Sequence, residues 1–186
     1  GVAGTAAAEI ALGMRAAVTV IDKSLPRLRK LDAQFGGAVR VLASTAETIE
    51  CAVERADLVI GSVLVPGAAA PKLVDESMIT KMRPGSVVVD IAIDQGGCFA
   101  TSRPTTHADP TYLQHGVVHY CVTNMPGAVP RTSTFALNAA TLPYLRKLAD
   151  LGLEAALAND SGFRDGLNVS AGRITCTAVA TALGLS

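Results

Sequence analysis

Apolar residues in this chain gather into short runs that alternate with stretches of helical periodicity, and most runs end at glycine, a carboxylate or a small polar residue. Ala17-Val18-Thr19-Val20-Ile21-Asp22, Ala38-Val39-Arg40-Val41-Leu42-Ala43 and Asp57-Leu58-Val59-Ile60-Gly61-Ser62 have the length and β-branched content of strands covered on both faces. So do Val117-Val118-His119-Tyr120-Cys121-Val122 and the run that opens at Val87 and ends at Asp94-Gln95-Gly96-Gly97. An Ala-rich helix is predicted to run from the glycine turn at Gly1 to about Met14, with further helices over 25–35, 46–55 and 75–82. Strands alternating with helices imply βαβ units, hence an α/β protein with a doubly wound parallel sheet. Residues 98–116 read as a long irregular segment. Beyond Arg131 the pattern turns helical: a helix over 135–148 kinked at Pro143, an amphipathic piece over 153–157, a short hairpin over 167–174 and a last helix over 175–183 ended by Gly184.

The chemistry falls at the ends of these runs. In open α/β sheets ligands bind beyond the carboxyl ends of the strands. That makes Asp94 the first candidate for a working carboxylate, with Gly96-Gly97 allowing a sharp turn and close approach to a ligand. A simple turn-capping role is the alternative. Gly1-Val2-Ala3-Gly4 is the second half of a G-x-G-x-x-G turn leading into an Ala-rich helix, a site for a pyrophosphate at a helix N-terminus. On this reading the first glycine and its strand lie before Gly1. Asp22 ends the next strand about 20 residues on, where Rossmann dinucleotide sites place the acid that binds the ribose hydroxyls. A carboxylate there repels a 2′-phosphate and favours NAD, although Lys23 and Arg27 are close by, and Asp22 can also cap the following helix. The apolar loop from Val63 and Leu64 to Gly67 suits the face of an adenine or a nicotinamide ribose, and Asn124 offers a donor and an acceptor for a carboxamide.

Composition narrows the class. Charged residues are 17%, below the usual quarter or so, the formal net charge is zero, and Lys and Arg form no cluster. Neither a nucleic-acid footprint nor a membrane-binding patch is expected. No apolar stretch approaches membrane-span length. The four cysteines, Cys51, Cys98, Cys121 and Cys176, have neither zinc-site spacing nor a disulfide pattern, and so read as reduced residues of a cytoplasmic protein. Cys98 lies near the candidate site but has no neighbouring histidine to activate it.

Several segments together resemble the NAD-dependent alanine dehydrogenases over essentially the whole chain: 55–61, 63–67, Val89-Asp90-Ile91-Ala92-Ile93-Asp94-Gln95-Gly96-Gly97-Cys98, 102–106 and Asn124-Met125-Pro126-Gly127-Ala128-Val129-Pro130-Arg131-Thr132-Ser133-Thr134. The related transhydrogenase shares the fold and the glycine turn. The resemblance implies reversible oxidative deamination of L-alanine to pyruvate and ammonia with NAD, in a homo-oligomer, a hexamer by family. It further implies a Rossmann domain over 1–130, lacking its first strand, and a hinge helix with a C-terminal segment of the substrate domain over 131–186. By motif match, cofactor positions carry over to Gly1, Val2, Ala3, Asp22, Arg27, Ser44, Val63, Leu64, Ile91, Asp94, Arg103, Val122, Asn124 and Met125, and the catalytic acid to Asp94. No metal is implied. The family's catalytic lysine, histidine and substrate-binding arginine would precede Gly1, so the chain is expected to be a fragment whose unpaired strand edges aggregate in isolation. A transhydrogenase nucleotide-binding subunit and a non-catalytic NAD-binding module are the alternative readings.

Overall fold

A computed structural model describes residues 1–158 and 160–185. It forms two compact units, Gly1–Leu64 with Ala69–Thr123, and Val65–Ala68 with Asn124–Ser186.

In the first unit the helix ends are set by local chemistry. After α1 (Val2–Gly13) and β1 (Thr19–Asp22), α2 (Leu25–Phe35) starts at Ser24, whose hydroxyl accepts from Arg27 N, and stops at Gly36 in the left-handed region. Strand β2 (Arg40–Ala43) is followed by α3 (Ala46–Arg55), which opens with a capping box between Thr45 and Thr48. Strand β3 (Leu58–Gly61) leads through a long loop to α4 (Glu76–Lys81), capped by Asp75, and then to β4 (Val87–Asp90). The strands β5 (Thr111–Gln114) and β6 (Val117–Tyr120) complete the unit.

These strands form a two-stranded and a four-stranded ladder within the α/β fold expected. Strands β1 and β2 pair in parallel, with Asp22 opposite Ala43. The other sheet has the order β3-β4-β6-β5, parallel across β3, β4 and β6, with Gly61 opposite Asp90. Among the described residues nothing pairs β1 with β3, so each keeps one unpaired edge. Strand β5 corrects the reading of 98–116 as irregular: it is an antiparallel edge strand on β6, joined through His115 and Gly116, both at positive φ as a two-residue hairpin turn requires.

Val53 of α3 and Ile79 of α4 pack against Val88 of β4, Val117 of β6 and Phe99, the last four fully buried or nearly so. Burial of side chains of this size contributes roughly 1.5–3 kcal/mol each.

The second unit contains a 3-10 turn at Met125–Ala128, then α5 (Pro130–Ala158), α6 (Ser161–Arg164), the hairpin β7 (Val169–Ser170) and β8 (Arg173–Ile174), and α7 (Thr177–Ala182). Helical geometry within α5 breaks at Gly152 (φ 73°, ψ 170°), not at Pro143. Pro143 stays at helical φ within α5 despite its lost donor and the crowding of its ring against the preceding turn, whereas Gly152 enters the left-handed region without a Cβ clash. Asp160 caps α6 through Phe163 N at 2.9 Å and takes Lys147 Nζ at 2.9 Å, tying α5 to α6. Phe135, Leu137 and Leu145 of α5 remain exposed.

Candidate functional site

The first group of predicted residues lies at the start of α1, at the ends of β1 and β2, and on α2. Gly1 stands at its N-cap position with no side-chain cap, so the first-turn amides, those of Val2 and Ala3 among them, have no intrahelical acceptor. A Cβ on Gly4 would sit 3.3 Å from Ser62 Oγ, a close approach of the helix to the residue following β3. Asp22 ends β1 and its Oδ1 accepts from Ser24 N at 2.8 Å; the N-cap of α2 is Ser24 rather than Asp22. Ser44, just past β2, donates its amide to the Asp22 carbonyl at 3.1 Å. Arg27 reaches from α2 to α1, where Nη2 donates to Thr5 Oγ1 at 2.6 Å. Its Nε is buried with no hydrogen-bond partner among the described residues. Such an orphaned donor is costly, by about 1–3 kcal/mol, unless something else accepts from it.

The second group follows β3 and β4. Val63 is half-buried against the core cluster while Leu64 is 76% exposed, so only Leu64 presents its side chain openly. Strand β4 stops at Asp90, earlier than the apolar run suggests. Ile91 N still donates to Gly61 O at 2.8 Å, after which Ile93–Gln95 form a 3-10 turn. Asp94 lies on that turn, exposed, with no side-chain partner among the described residues.

Asp90 is the residue that sequence reasoning missed. Fully buried, its carboxylate accepts from Ala92 N (3.1 Å), Cys98 N (2.9 Å), Phe99 N (3.3 Å) and Ser102 Oγ (2.6 Å). A lone carboxylate inside an apolar strand was the available signal, because a buried charge persists only when it is hydrogen-bonded or paired. Burial, with the Asp90 carboxylate adding to it, pushes the Cys98 thiol up to about 12, which leaves it protonated and inert as a nucleophile.

Arg103 lies in the third group. Its amide donates to Tyr112 Oη at 2.9 Å and its guanidinium stacks 3.9 Å from the centre of the same ring. Tyr112 Oη donates in turn to Thr101 O at 2.8 Å, and the ring stacks on His119 with centroids 4.9 Å apart. Burial is the main cause that pushes the Tyr112 phenol up to about 12. His119 is fully buried, with Nδ1 3.0 Å from Val117 O and Nε2 2.8 Å from Thr101 Oγ1. Since a carbonyl can only accept, Nδ1 carries the proton and Nε2 accepts from Thr101. Burial holds its pKa below the ordinary histidine value. Tyr112 and His119 were not singled out in the sequence because each reads as ordinary strand content.

Val122 is fully buried and bridges to Thr105, so its side chain serves as wall rather than contact surface. Asn124 and Met125 belong to the second unit, with Asn124 exposed in the left-handed region (φ 55°). Every predicted position in the first unit thus lies at the start of α1, in the N-terminal part of α2, beyond the carboxyl end of a parallel strand, or in the segment after β4. Among the described residues no group of three or more His, Cys, Asp or Glu could hold a metal, and no helix is long and apolar enough to cross a membrane.

Known proteins give this arrangement a context. The family model for the alanine dehydrogenase/PNT C-terminal domain matches residues 1–177. Alanine dehydrogenase of Halomonas elongata is 60% identical over 185 residues, covering 100% of this chain and 50% of its own length. Alanine dehydrogenase of Mycobacterium tuberculosis is 54% identical, again over 100% of this chain and 50% of its own. A solved L-alanine dehydrogenase superposes with a TM-score of 0.87 at 52% identity, covering 100% of this chain and 52% of that one. A transhydrogenase from Sinorhizobium meliloti, at 24% identity and a TM-score of 0.74, shares the fold. The chain spans about half the length of the curated relatives it matches. With a Rossmann-type α/β fold and a family match over residues 1–177, the chain belongs to the alanine dehydrogenase/PNT family and corresponds to its C-terminal domain.

Proposed function

We propose that this chain supplies the NAD-binding half of an alanine dehydrogenase, which interconverts L-alanine with pyruvate and ammonia. The observation that carries this reading is Asp94, an exposed carboxylate on a turn at the carboxyl end of β4, in a chain 54–60% identical to proteins named alanine dehydrogenase.

The residues present fit a dinucleotide. The unpartnered Arg27 Nε belongs to a side chain that bonds Thr5 near the uncapped first turn of α1, and Asp22 ends β1 just ahead of the helix that carries Arg27. An anion accepts from such donors, and ribose hydroxyls donate to such an acid. Gly1, Val2 and Ala3 would hold the pyrophosphate through their amides. Asp22, Arg27 and Ser44 would surround the adenosine end, while Val63, Leu64, Ile91, Arg103 and Val122 would hold the rest. NAD, when bound, supplies the acceptor for the hydride leaving the substrate α-carbon. Asp94 orients the substrate amine, or the water that attacks the resulting imine, and moves a proton there. Residues 1–130 serve as the nucleotide domain, and 131–186 as hinge and part of the substrate domain. The complete protein is a homo-oligomer, and the exposed apolar side chains of α5 support a further buried face there.

The test is reduction of NAD by L-alanine in the full-length protein, followed at 340 nm, with and without Asp94→Asn. Turnover falls roughly 10²–10⁴-fold, the usual size of a lost acid-base group, while NAD still binds. Wild-type turnover in the variant would remove Asp94 from the reaction.

A further inference from the structure

The turn that carries Asp94 is held from two sides, by Asp90 at the end of β4 and by the segment before α4. From beneath, Asp90 accepts the amides of Ala92, Cys98 and Phe99 and the Ser102 hydroxyl. From outside, the segment before α4 saturates the carbonyls: Ala70 N donates to Gln95 O at 2.8 Å and Leu73 N to Cys98 O at 2.8 Å. Lys72 Nζ spans the turn, donating to Gly96 O at 2.5 Å and Phe99 O at 3.1 Å. An anion therefore collects the N–H groups of the loop and a cation its C=O groups. Charge-assisted bonds are the stronger kind and are directional. Gly96 and Gly97, both at positive φ, would otherwise leave this loop with more conformational freedom than any other pair of residues could.

We propose that Asp90 and Lys72 are positioning residues for Asp94. They touch neither substrate nor cofactor; together they lock the glycine turn so that the Asp94 carboxylate is presented in one orientation. A displacement of about 1 Å at a reacting group can cost on the order of 100-fold in rate, so a loosened turn lowers kcat without requiring any loss of nucleotide affinity. The inference rests on the reading of Asp94 as the working carboxylate, but the clamp itself is measurable without turnover.

The experiment compares Lys72→Met, Lys72→Arg, Asp90→Asn and Asp94→Asn in the full-length protein. Lys72 is exposed, so its variants fold even if Asp90→Asn does not. Amide hydrogen exchange over 92–102 is read first. Lys72→Met is expected to speed it roughly ten-fold, with β3, β4 and β6 unchanged, as for a local opening. Alanine turnover is read second: kcat drops roughly 10- to 100-fold with NADH affinity retained, and Lys72→Arg restores most of it. Unchanged exchange in Lys72→Met overturns the clamp. Faster exchange with full turnover, in a protein that Asp94→Asn inactivates, overturns the positioning role. If Asp94→Asn itself retains turnover, the catalytic reading of Asp94 fails and the positioning role with it, while the exchange data still decide whether the clamp exists.

Discussion

A Cβ on Gly97 would lie 2.5 Å from Asp90 Oδ2 and 2.9 Å from Ser102 Cβ, and the residue has φ +76°. The buried carboxylate and the glycine are thus fitted to one another: Asp90 can reach the amides of Cys98 and Phe99 because no side chain stands between. Gly96, its neighbour, has φ +89° but open space around its Cβ position. Gly96→Ala should therefore cost only the backbone strain, about 1 kcal/mol, and Gly97→Ala that strain plus displacement of a buried, hydrogen-bonded charge, about 3 kcal/mol or more. Urea unfolding of the full-length protein separates the two. Equal midpoints for both variants would show that Asp90 does not constrain Gly97.

Asp22 offers one oxygen to Ser24 N. Asn at this position keeps an oxygen for that cap and removes the charge, so Asp22→Asn isolates the electrostatic part of cofactor choice. The ratio of kcat/KM for NAD over NADP should drop about ten-fold or more, chiefly through gained use of NADP. An unchanged ratio would mean that the charge of Asp22 does not face the 2′ position.

Three of the four cysteines should react in an order set by burial and local charge. Cys51 is exposed, while Cys98 and Cys121 are buried, and the Cys98 thiol is pushed up to about 12. With iodoacetamide at pH 8, mass spectrometry should find Cys51 alkylated early, and Cys98 and Cys121 modified only on the timescale of unfolding. Alkylation of Cys98 as fast as Cys51 would contradict the burial described.

His119 makes stability depend on pH. Its folded pKa lies below the ordinary value because burial opposes the charge. As pH falls through about 6.5 the unfolded chain takes up a proton that the native site resists, so the unfolded state binds more protons and stability declines. The loss continues until pH reaches the folded pKa. His119→Gln should be less stable at pH 7.5, having lost the bonds to Thr101 and Val117, yet show a shallower decline between pH 7.5 and 5.5. Denaturation midpoints at the two pH values check this, and an equal decline in both proteins would exclude His119 as the source.

Much of this fold is legible in the sequence. Strands β1 to β4 and β6 announce themselves because parallel strands covered on both faces must be apolar at nearly every position. Strand β5 does not. At an edge, Thr111-Tyr112-Leu113-Gln114 alternates between exposed and half-buried positions, and its only clear sign is the turn at His115-Gly116. The apolar run after Val87 was legible as buried but not as ending its strand at Asp90. Ala92 and Ile93 are buried in a turn, and hydrophobicity reports burial without naming the backbone's hydrogen-bond partner. Similarly, the strands could be listed but not the order β3-β4-β6-β5, because pairing depends on which strand lies beside which.

The sequence alone carries most of the elements, the family resemblance and the candidate positions for chemistry: the glycine turn at the start of α1, Asp22 at the end of β1 and Asp94 beside two glycines. These are local facts, written in spacing and residue type over a few neighbouring positions. Only the tertiary structure decided that Asp90 is a buried anchor, that Lys72 closes over the turn from 24 residues away in sequence, and that Tyr112 carries Arg103. The physical reason is that a buried charge or an oriented side chain is satisfied by groups brought in from elsewhere in the chain, and their arrival depends on the completed fold.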